Sequence, residues 1–350
     1  MYTLSRDSAV KSASSCAGYI CAQLLHVAIS SAAGLAMLLL VTFFPVLVRQ
    51  GVSKASAAAM IGLCAFMDLG PAVGTANLAA KHAGMESAIY FAHYQMPVAA
   101  VVMLAVAVVI FFTAKYFDKK DGFVPGTPGT EEVAEEEGRK VPAIYALLPV
   151  LPVILVLSPL AIASIKIDVV TAMILGVVVA FFFELFATRD FRACCNGVQV
   201  FFKGMGSMFT SIVSLLVCAD IYAQGLQKSG AVDYLLQSVQ SAGLGFTSMT
   251  LVMTALVGVT AVLTGSGVAA FFSFSGLAPS VAAKFGESAV NMILPMQLMA
   301  GMGRSISPVA GIIIAVSKAG ECSPFMIVRR TLLPALAGIA AMLIANYVLI

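Results

Sequence analysis

Tryptophan is absent from this chain of 350 residues, and charged side chains make up only 11% of it. The first absence leaves Tyr, Lys and Arg to anchor any bilayer interface. The second, beside 60% hydrophobic residues and a mean hydropathy of +0.99, excludes an ordinary soluble domain and indicates an integral membrane protein. The seven cysteines (16, 21, 64, 194, 195, 218 and 322) show no CxxC spacing, so neither a disulfide framework nor a metal site is expected, and no cofactor is implied. His26, His82 and His93 show no ligand spacing and read as structural or interfacial rather than as proton relays. HExxH and GxSxG are missing, as is a convincing pair of membrane aspartates, which argues against an intramembrane enzyme. A net charge of +3 gives no basis for a nucleic-acid partner. The opening MYTLSRDSAVKSASS precedes a long apolar run without a clear cleavage pattern, so it does not read as a signal peptide.

What the chain has is long apolar stretches in two groups. Between them lies Asp118 to Lys140, rich in Gly, Pro and charge, with an acidic run from Glu131 to Glu137; it reads as a solvent-exposed linker. The first group comprises 14–48, 53–83 and 87–113. The second opens with spans near 143–164 and 168–187, each long enough for ~30 Å of hydrocarbon. An interfacial segment at 189–203 and a span near 205–226 come next. The stretch 248–284 is interrupted at Thr264-Gly265-Ser266-Gly267, and 288–317 at Gly301 to Pro308; a last span runs from Pro324 to Ile350.

A shift of 236 or 237 positions lays the first group on the second. Ser30 then falls on Ser266, Gly84 on Gly320, Ser87 on Ser323 and Pro97 on Pro334, while Asp68-Leu69-Gly70-Pro71 lies beside Arg304 to Pro308. Met1 falls on Gln237, so the first group has no counterpart of 143–236, and a chain shortened at its N-terminus, or a misassigned start, is expected. The expected organisation is a partial first repeat (1–117, with a hairpin at 14–48, a broken helix at 53–83 and a helix at 87–113), a cytoplasmic acidic linker (118–142) and a complete second repeat (143–350, with a hairpin at 248–284 and a broken helix at 288–317). If 14–48 and 248–284 are re-entrant hairpins, about seven full crossings remain. Lys and Arg then divide 15 to 4 between the two faces, with Arg304 between them. That asymmetry places the linker in the cytoplasm and the C-terminus in the periplasm of a bacterial inner membrane. Five crossings in the second repeat invert it relative to the first. The fold expected is an all-α polytopic membrane protein with inverted repeats, two re-entrant hairpins and two broken helices.

Arg304 is the only charge between Ser288 and Ala315. An arginine at such a depth costs several kcal/mol unless it faces protein, water or a ligand. Half-helix N-termini at the two breaks and hairpin tips present free N–H groups that suit a carboxylate. The expected substrate site is therefore Arg304, Ser305 and Ser307 with the tips Thr264, Gly265, Ser266, Gly267, Ser30 and Ser31. Arg304 would hold one carboxylate bidentately, and hydroxyls and amides of the opposite repeat would hold the other. Asp68, the lone acid of its crossing, would pair with Arg304, take up a proton or help bind a cation. The plainer readings are an Arg304 that caps carbonyls, an Asp68 that only neutralises it, and tip residues that serve helix packing. Arg329 and Arg330 read as topology signals.

SGVAAFFSFSGLAPSVAAKFG followed by GRSISPVAGIIIAVSKAGECSPFMIVRRTLLP resembles the C-terminal half of the DcuC-type anaerobic four-carbon dicarboxylate carriers, including their DcuD relatives. Val27 to Ser53 and Phe117 to Asp121 look like matching stretches of the first half. The resemblance covers nearly the whole chain and is strongest from Thr264 to Pro334. It implies a secondary carrier, not an enzyme, for succinate, fumarate, malate or similar anions, working by exchange or proton-coupled movement during fermentation. It also implies ion-transporter architecture with two inverted repeats. Members typically begin with additional helices, and their second tip commonly reads GSGNAPF where this chain has Gly265 to Phe271 as GSGVAAF. The partners implied are a small dicarboxylate, a proton or sodium as coupling ion, and the lipid bilayer, with a homodimer among the allowed assemblies. An inactive shortened remnant and a carrier of another small organic anion are the alternatives.

Overall fold

The computed structural model describes residues 2–123, 145, 147–161, 167–230, 234, 237, 241 and 245–350. The linker expected at 118–142, beyond residue 123, and both ends of the span expected near 143–164 lie outside the described residues. Among the described residues all regular structure is helical. The helices are α1 (Tyr2–Ala28), α2 (Ala32–Thr42), α3 (Phe44–Arg49), α4 (Lys54–Gly62), α5 (Gly74–His82) and α6 (Ser87–Lys120). They continue as α7 (Val150–Ala161), α8 (Val169–Thr188), α9 (Phe191–Lys228), α10 (Phe246–Thr264), α11 (Gly267–Ser275), α12 (Ala278–Phe285), α13 (Ala289–Ser305), α14 (Gly311–Ala319) and α15 (Pro324–Leu349).

Serine hydroxyls start four of these helices. Ser31, Ser53, Ser266 and Ser323 accept from the backbone N–H of Gly34, Ser56, Ala269 and Met326, satisfying donors that helix geometry leaves free. Asp168 caps α8 in the same way. Within α6 the turn Tyr90–Gln95 is π-helical, and Met96 N–H reaches back to Phe91 O. Pro97 explains the widening, since it has no N–H to offer the carbonyl four residues earlier. The wide turn leaves Tyr90, Phe91 and Gln95 buried.

Four described helices, α6, α8, α10 and α15, are long and apolar enough to cross a bilayer, and α11 with α12, bent by 47°, make a fifth if taken as one span. Large side chains on their outer faces support lipid contact: Leu104, Val108 and Phe112 on α6, Phe182 and Phe186 on α8, Leu333 and Ile344 on α15 are all exposed. The other interrupted segments are shorter. α4, α5 and α14 have nine residues each, roughly 14 Å of helix, so none spans ~30 Å by itself.

Two details differ from the sequence expectations. The segments expected as interfacial (189–203) and spanning (205–226) form one continuous helix, α9. Arg192 and Lys203 lower its hydropathy but do not break a helix, and it contains no proline. In the last broken helix, where the interruption is expected over Gly301 to Pro308, the two glycines remain helical. α13 runs through Gly301 and Gly303 to Ser305, and the break is Ile306 to Ala310. Pro308 ends the helix by lacking a donor and by biasing Ser307 away from helical geometry. Gly301 permits close approach instead: a Cβ there would lie 2.7 Å from Phe66 O.

The two interrupted segments cross in the core. α4 packs on α14 and α15, while α5 packs on α13 and α11; α2 rests on α14, and α6 lies along α15 and α1. One end of this assembly is clamped by charge. Arg330, nearly fully buried, donates through Nη1 to Ser56 Oγ (2.5 Å) and Asp118 Oδ1 (2.8 Å), and through Nη2 to Asp121 Oδ2 (2.6 Å). Asp118 Oδ1 also accepts from Ser53 Oγ, and Arg329 donates to Asp121 Oδ1 while lying over the Phe117 ring at 4.8 Å. The arginines read as topology signals thus join α4, α6 and α15.

Desolvation works against the Asp121 carboxylate, but hydrogen bonds and charge from Arg330 and Arg329 outweigh it and hold its pKa below the usual aspartate value of 3.8. A depressed folded pKa contributes stability that is full above the unfolded value and is lost as pH falls through the folded one. Thermal unfolding of the detergent-solubilised chain is therefore expected to lose an Asp121-dependent part of its midpoint only below about pH 4. Asp121→Asn should remove that part; an identical acid profile in the variant contradicts it.

Candidate functional site

The break between α4 and α5 carries Asp68 at φ 45°, a left-handed conformation that a non-glycine residue adopts only where its surroundings enforce it. Two buried glutamines do so. Gln95 from α6 donates to Asp68 O (3.2 Å) and accepts from Gly70 N–H (3.2 Å). Gln297 from α13 donates to Asp68 O (3.1 Å), and its Oε1 accepts from Gln95 Nε2 (2.9 Å). Carbonyls released by the break are thus satisfied without water, the condition for irregular backbone at membrane depth.

Arg304, one residue before the end of α13, reaches into this break. It is 9% exposed, and its Nη2 donates to Ala65 O (2.7 Å) and Asp68 Oδ1 (2.8 Å). His26 of α1 is fully buried on the other side of Asp68, with Nε2 3.7 Å from the same Oδ1. The lone acid and the lone base of two apolar runs therefore meet where the two breaks cross.

Each break also packs against a helix end that precedes it in sequence. A Cβ on Gly70 would lie 3.2 Å from Val27 Cα at the end of α1. Gly265, left-handed at φ 71°, presses on the backbone of Val309 and Ala310, and a Cβ on Gly267 would lie 2.5 Å from Ala300 O. Ser307 Oγ donates to Val262 O (2.6 Å), tying the α13–α14 break to α10. Gly267→Ala is expected to lower stability by about 1–3 kcal/mol by forcing these backbones apart. Gly204→Ala, which meets nothing within 4 Å, should leave it unchanged or slightly higher. Circular dichroism melts check the pair, and equal midpoints would contradict the close approach.

Most of the remaining expected site residues make local hydrogen bonds. Ser31 and Ser266 are the helix caps noted above, Thr264 Oγ1 donates to Thr260 O (2.7 Å) and accepts from Ser266 N–H (3.2 Å), and Ser305 Oγ donates to Gly301 O (2.9 Å). Ser30 is half-buried at the α1–α2 break. Among the described residues, Arg304 bonds to Ala65 and Asp68 rather than to a tip hydroxyl. Gln95 and Gln297 are residues that sequence reasoning passed over, and His26, which reads as structural or interfacial in the sequence, joins them at this centre. Their signal was present, since Gln95 and Gln297 are isolated amides in apolar runs and carry a weaker form of the burial argument that singled out Arg304. A cavity of about 480 Å³, lined by Asn77, Lys81, Glu86, Ser87 and Asp168 among others, opens at the far end of α5 and does not include the ion pair.

This geometry defines an all-helical, multi-pass membrane protein whose interrupted helices meet at a buried ion pair. The chain belongs to the DcuC family, whose model, described as "C4-dicarboxylate anaerobic carrier", matches residues 15–350. The family is one of transporters, not enzymes. A probable anaerobic C4-dicarboxylate transporter DcuC of Vibrio cholerae is 35% identical over 337 residues, covering 95% of this chain and 72% of that protein. The anaerobic C4-dicarboxylate transporter DcuC of Escherichia coli K12 is 31% identical over 334 residues, with the same coverage of 95% and 72%. A putative uncharacterized transporter of Haemophilus influenzae is 28% identical over 211 residues, 57% of this chain and 70% of its own length.

Proposed function

We propose that this chain is a secondary carrier of four-carbon dicarboxylates, succinate, fumarate and malate, across a bacterial inner membrane, by exchange or proton-coupled movement. The observation that carries this reading is the Arg304–Asp68 pair, buried at the crossing of two broken helices in a member of a carrier family. A carboxylate arriving at the centre takes over the guanidinium from Asp68 in a bidentate pair. Its second carboxylate lies against the N-termini of α11 and α14, whose partial positive charge and free N–H groups favour an anion. Ser266, Ser305 and Ser307 line the approach, with Ser30 and Ser31 at the opposite tip.

The repeat reading belongs to this proposal. It assigns residues 1–117 to a partial first repeat, 118–142 to a cytoplasmic linker and 143–350 to an inverted second repeat, with re-entrant hairpins at 14–48 and 248–284, seven full crossings and a periplasmic C-terminus. In its favour, Asp68 and Arg304 are separated by 236 residues, the offset that aligns the two groups in sequence. The pairings of α4 with α14 and of α5 with α13 also exchange under that offset, as do those of α2 with α14 and of α11 with α5. Lys54, Arg329 and Arg330 pair with Glu321, Asp121 and Asp118 at one end, in keeping with a single basic face.

The test is uptake of labelled succinate by proteoliposomes loaded with fumarate or with acetate. Uptake driven by fumarate and not by acetate is the expected result. Uptake with neither removes the exchange reading, and equal uptake with acetate removes the need for an internal dicarboxylate.

A further inference from the structure

We propose that His26 holds the coupling proton on Nε2, and that this proton draws Asp68 away from Arg304 and so frees the guanidinium for the substrate. The inference rests on the carrier reading above. Its basis is the way three side chains from separate segments share one oxygen. His26 Nδ1 lies 2.9 Å from Ile29 O. A carbonyl only accepts, so Nδ1 carries the hydrogen and Nε2 is the position that gains or loses a proton. Nε2 faces Asp68 Oδ1 at 3.7 Å and has no hydrogen-bond partner in the described structure. Neither does Asp68 Oδ2, nor Arg304 Nε.

In the neutral imidazole two acceptors, Nε2 and Oδ1, face each other in a buried site. That arrangement gains nothing until a proton sits between them, and then it becomes a charge-assisted hydrogen bond. Oδ1 is also the oxygen that holds Arg304 Nη2 at 2.8 Å, so the histidine and the arginine compete for it. The charged and titratable groups at this centre are His26 on α1, Cys64 and Asp68 in and beside the α4–α5 break, and Arg304 on α13. With a neutral His26, Asp68 and Arg304 cancel. One proton on Nε2 makes the trio net positive, and that charge favours an arriving dianion in a low-dielectric site. The proton is neither consumed nor passed on in this step; it leaves Nε2 to water when the substrate departs and Arg304 returns to Asp68.

Linkage makes the coupling reciprocal: the proton tightens substrate binding, and the substrate raises the affinity of His26 for its proton. Fumarate is a suitable probe because its carboxyls have already ionised in the ordinary carboxylate range. The purified full chain is expected to bind fumarate roughly fivefold or more tightly at about pH 6 than at about pH 8. It should also take up protons on binding in weak buffer. In His26→Asn the amide can still reach Ile29 O but does not titrate, so fumarate should bind with one affinity at both pH values and without proton uptake. The same pH slope in His26→Asn overturns the proposal. So does wild-type binding without pH dependence or proton uptake, a result that needs no variant to fold and leaves the carrier reading intact. Absence of fumarate binding by the wild type overturns both.

Discussion

Arg304→Ala is expected to lower stability by about 3–5 kcal/mol, and adding Asp68→Ala should restore most of that loss. The single change leaves a carboxylate 3% exposed, with the fully buried His26 as its remaining cationic partner and only when protonated. An uncompensated buried charge, not the missing arginine contacts, dominates the cost. Ala65 O also loses its donor, a smaller penalty of about 1–3 kcal/mol that the double variant retains. Circular dichroism melts of the wild type, the single variant and the double variant provide the measurement. Losses that simply add would mean that Asp68 and Arg304 do not sense each other, against their 2.8 Å separation.

Arg330→Ala is expected to be the second large effect, again of about 3–5 kcal/mol, although this arginine lies far from the crossing of the breaks. Its guanidinium is 5% exposed and neutralises Asp118 and Asp121 together, while Ser56 and Ser53 at the start of α4 hang on the same carboxylate. Removing it uncouples α4, α6 and α15 at one stroke. Arg330→Lys keeps the charge but cannot reach two carboxylates and a hydroxyl with a planar fork, so it should recover less than half of the loss. Arg329→Ala makes the useful contrast: its partner is the same Asp121, but it is 46% exposed and its pair is worth about 1 kcal/mol or less. Equal effects at the two arginines would remove the clamp from the account.

The sequence directs attention to Arg304 and Asp68 because charge in an apolar run is costly, and a large penalty leaves a legible trace. Neutral polar groups leave a fainter one. Gln95 and Gln297 together hold the backbone at Asp68, yet each is one amide among apolar neighbours. His26 reads as structural or interfacial for a related reason: its partner is 42 positions away in sequence (68 − 26), so no spacing rule reveals it. In GMGRSISP glycines, serines and a proline all favour a break, but Gly301 and Gly303 are helical and allow backbones to touch, and the proline makes the break. Hydropathy likewise divided 189–226 into two segments because Arg192 and Lys203 interrupt the apolar run, while the backbone carries on through α9. Helical class and membrane character were legible from composition because they rest on totals. The polar centre is assembled from α1, α6, α13 and the α4–α5 break, and depends on pairings that no single segment contains.

The most direct test of the central claim uses the chain that lacks the ion pair but should still fold. Arg304→Ala combined with Asp68→Ala, reconstituted into fumarate-loaded proteoliposomes beside the wild type, separates a structural arginine from one that holds substrate. The expected result is succinate exchange by the wild type and none by the stable double variant. Exchange at the wild-type rate by the double variant would reduce the pair to a structural neutralisation and contradict a dicarboxylate site built on Arg304.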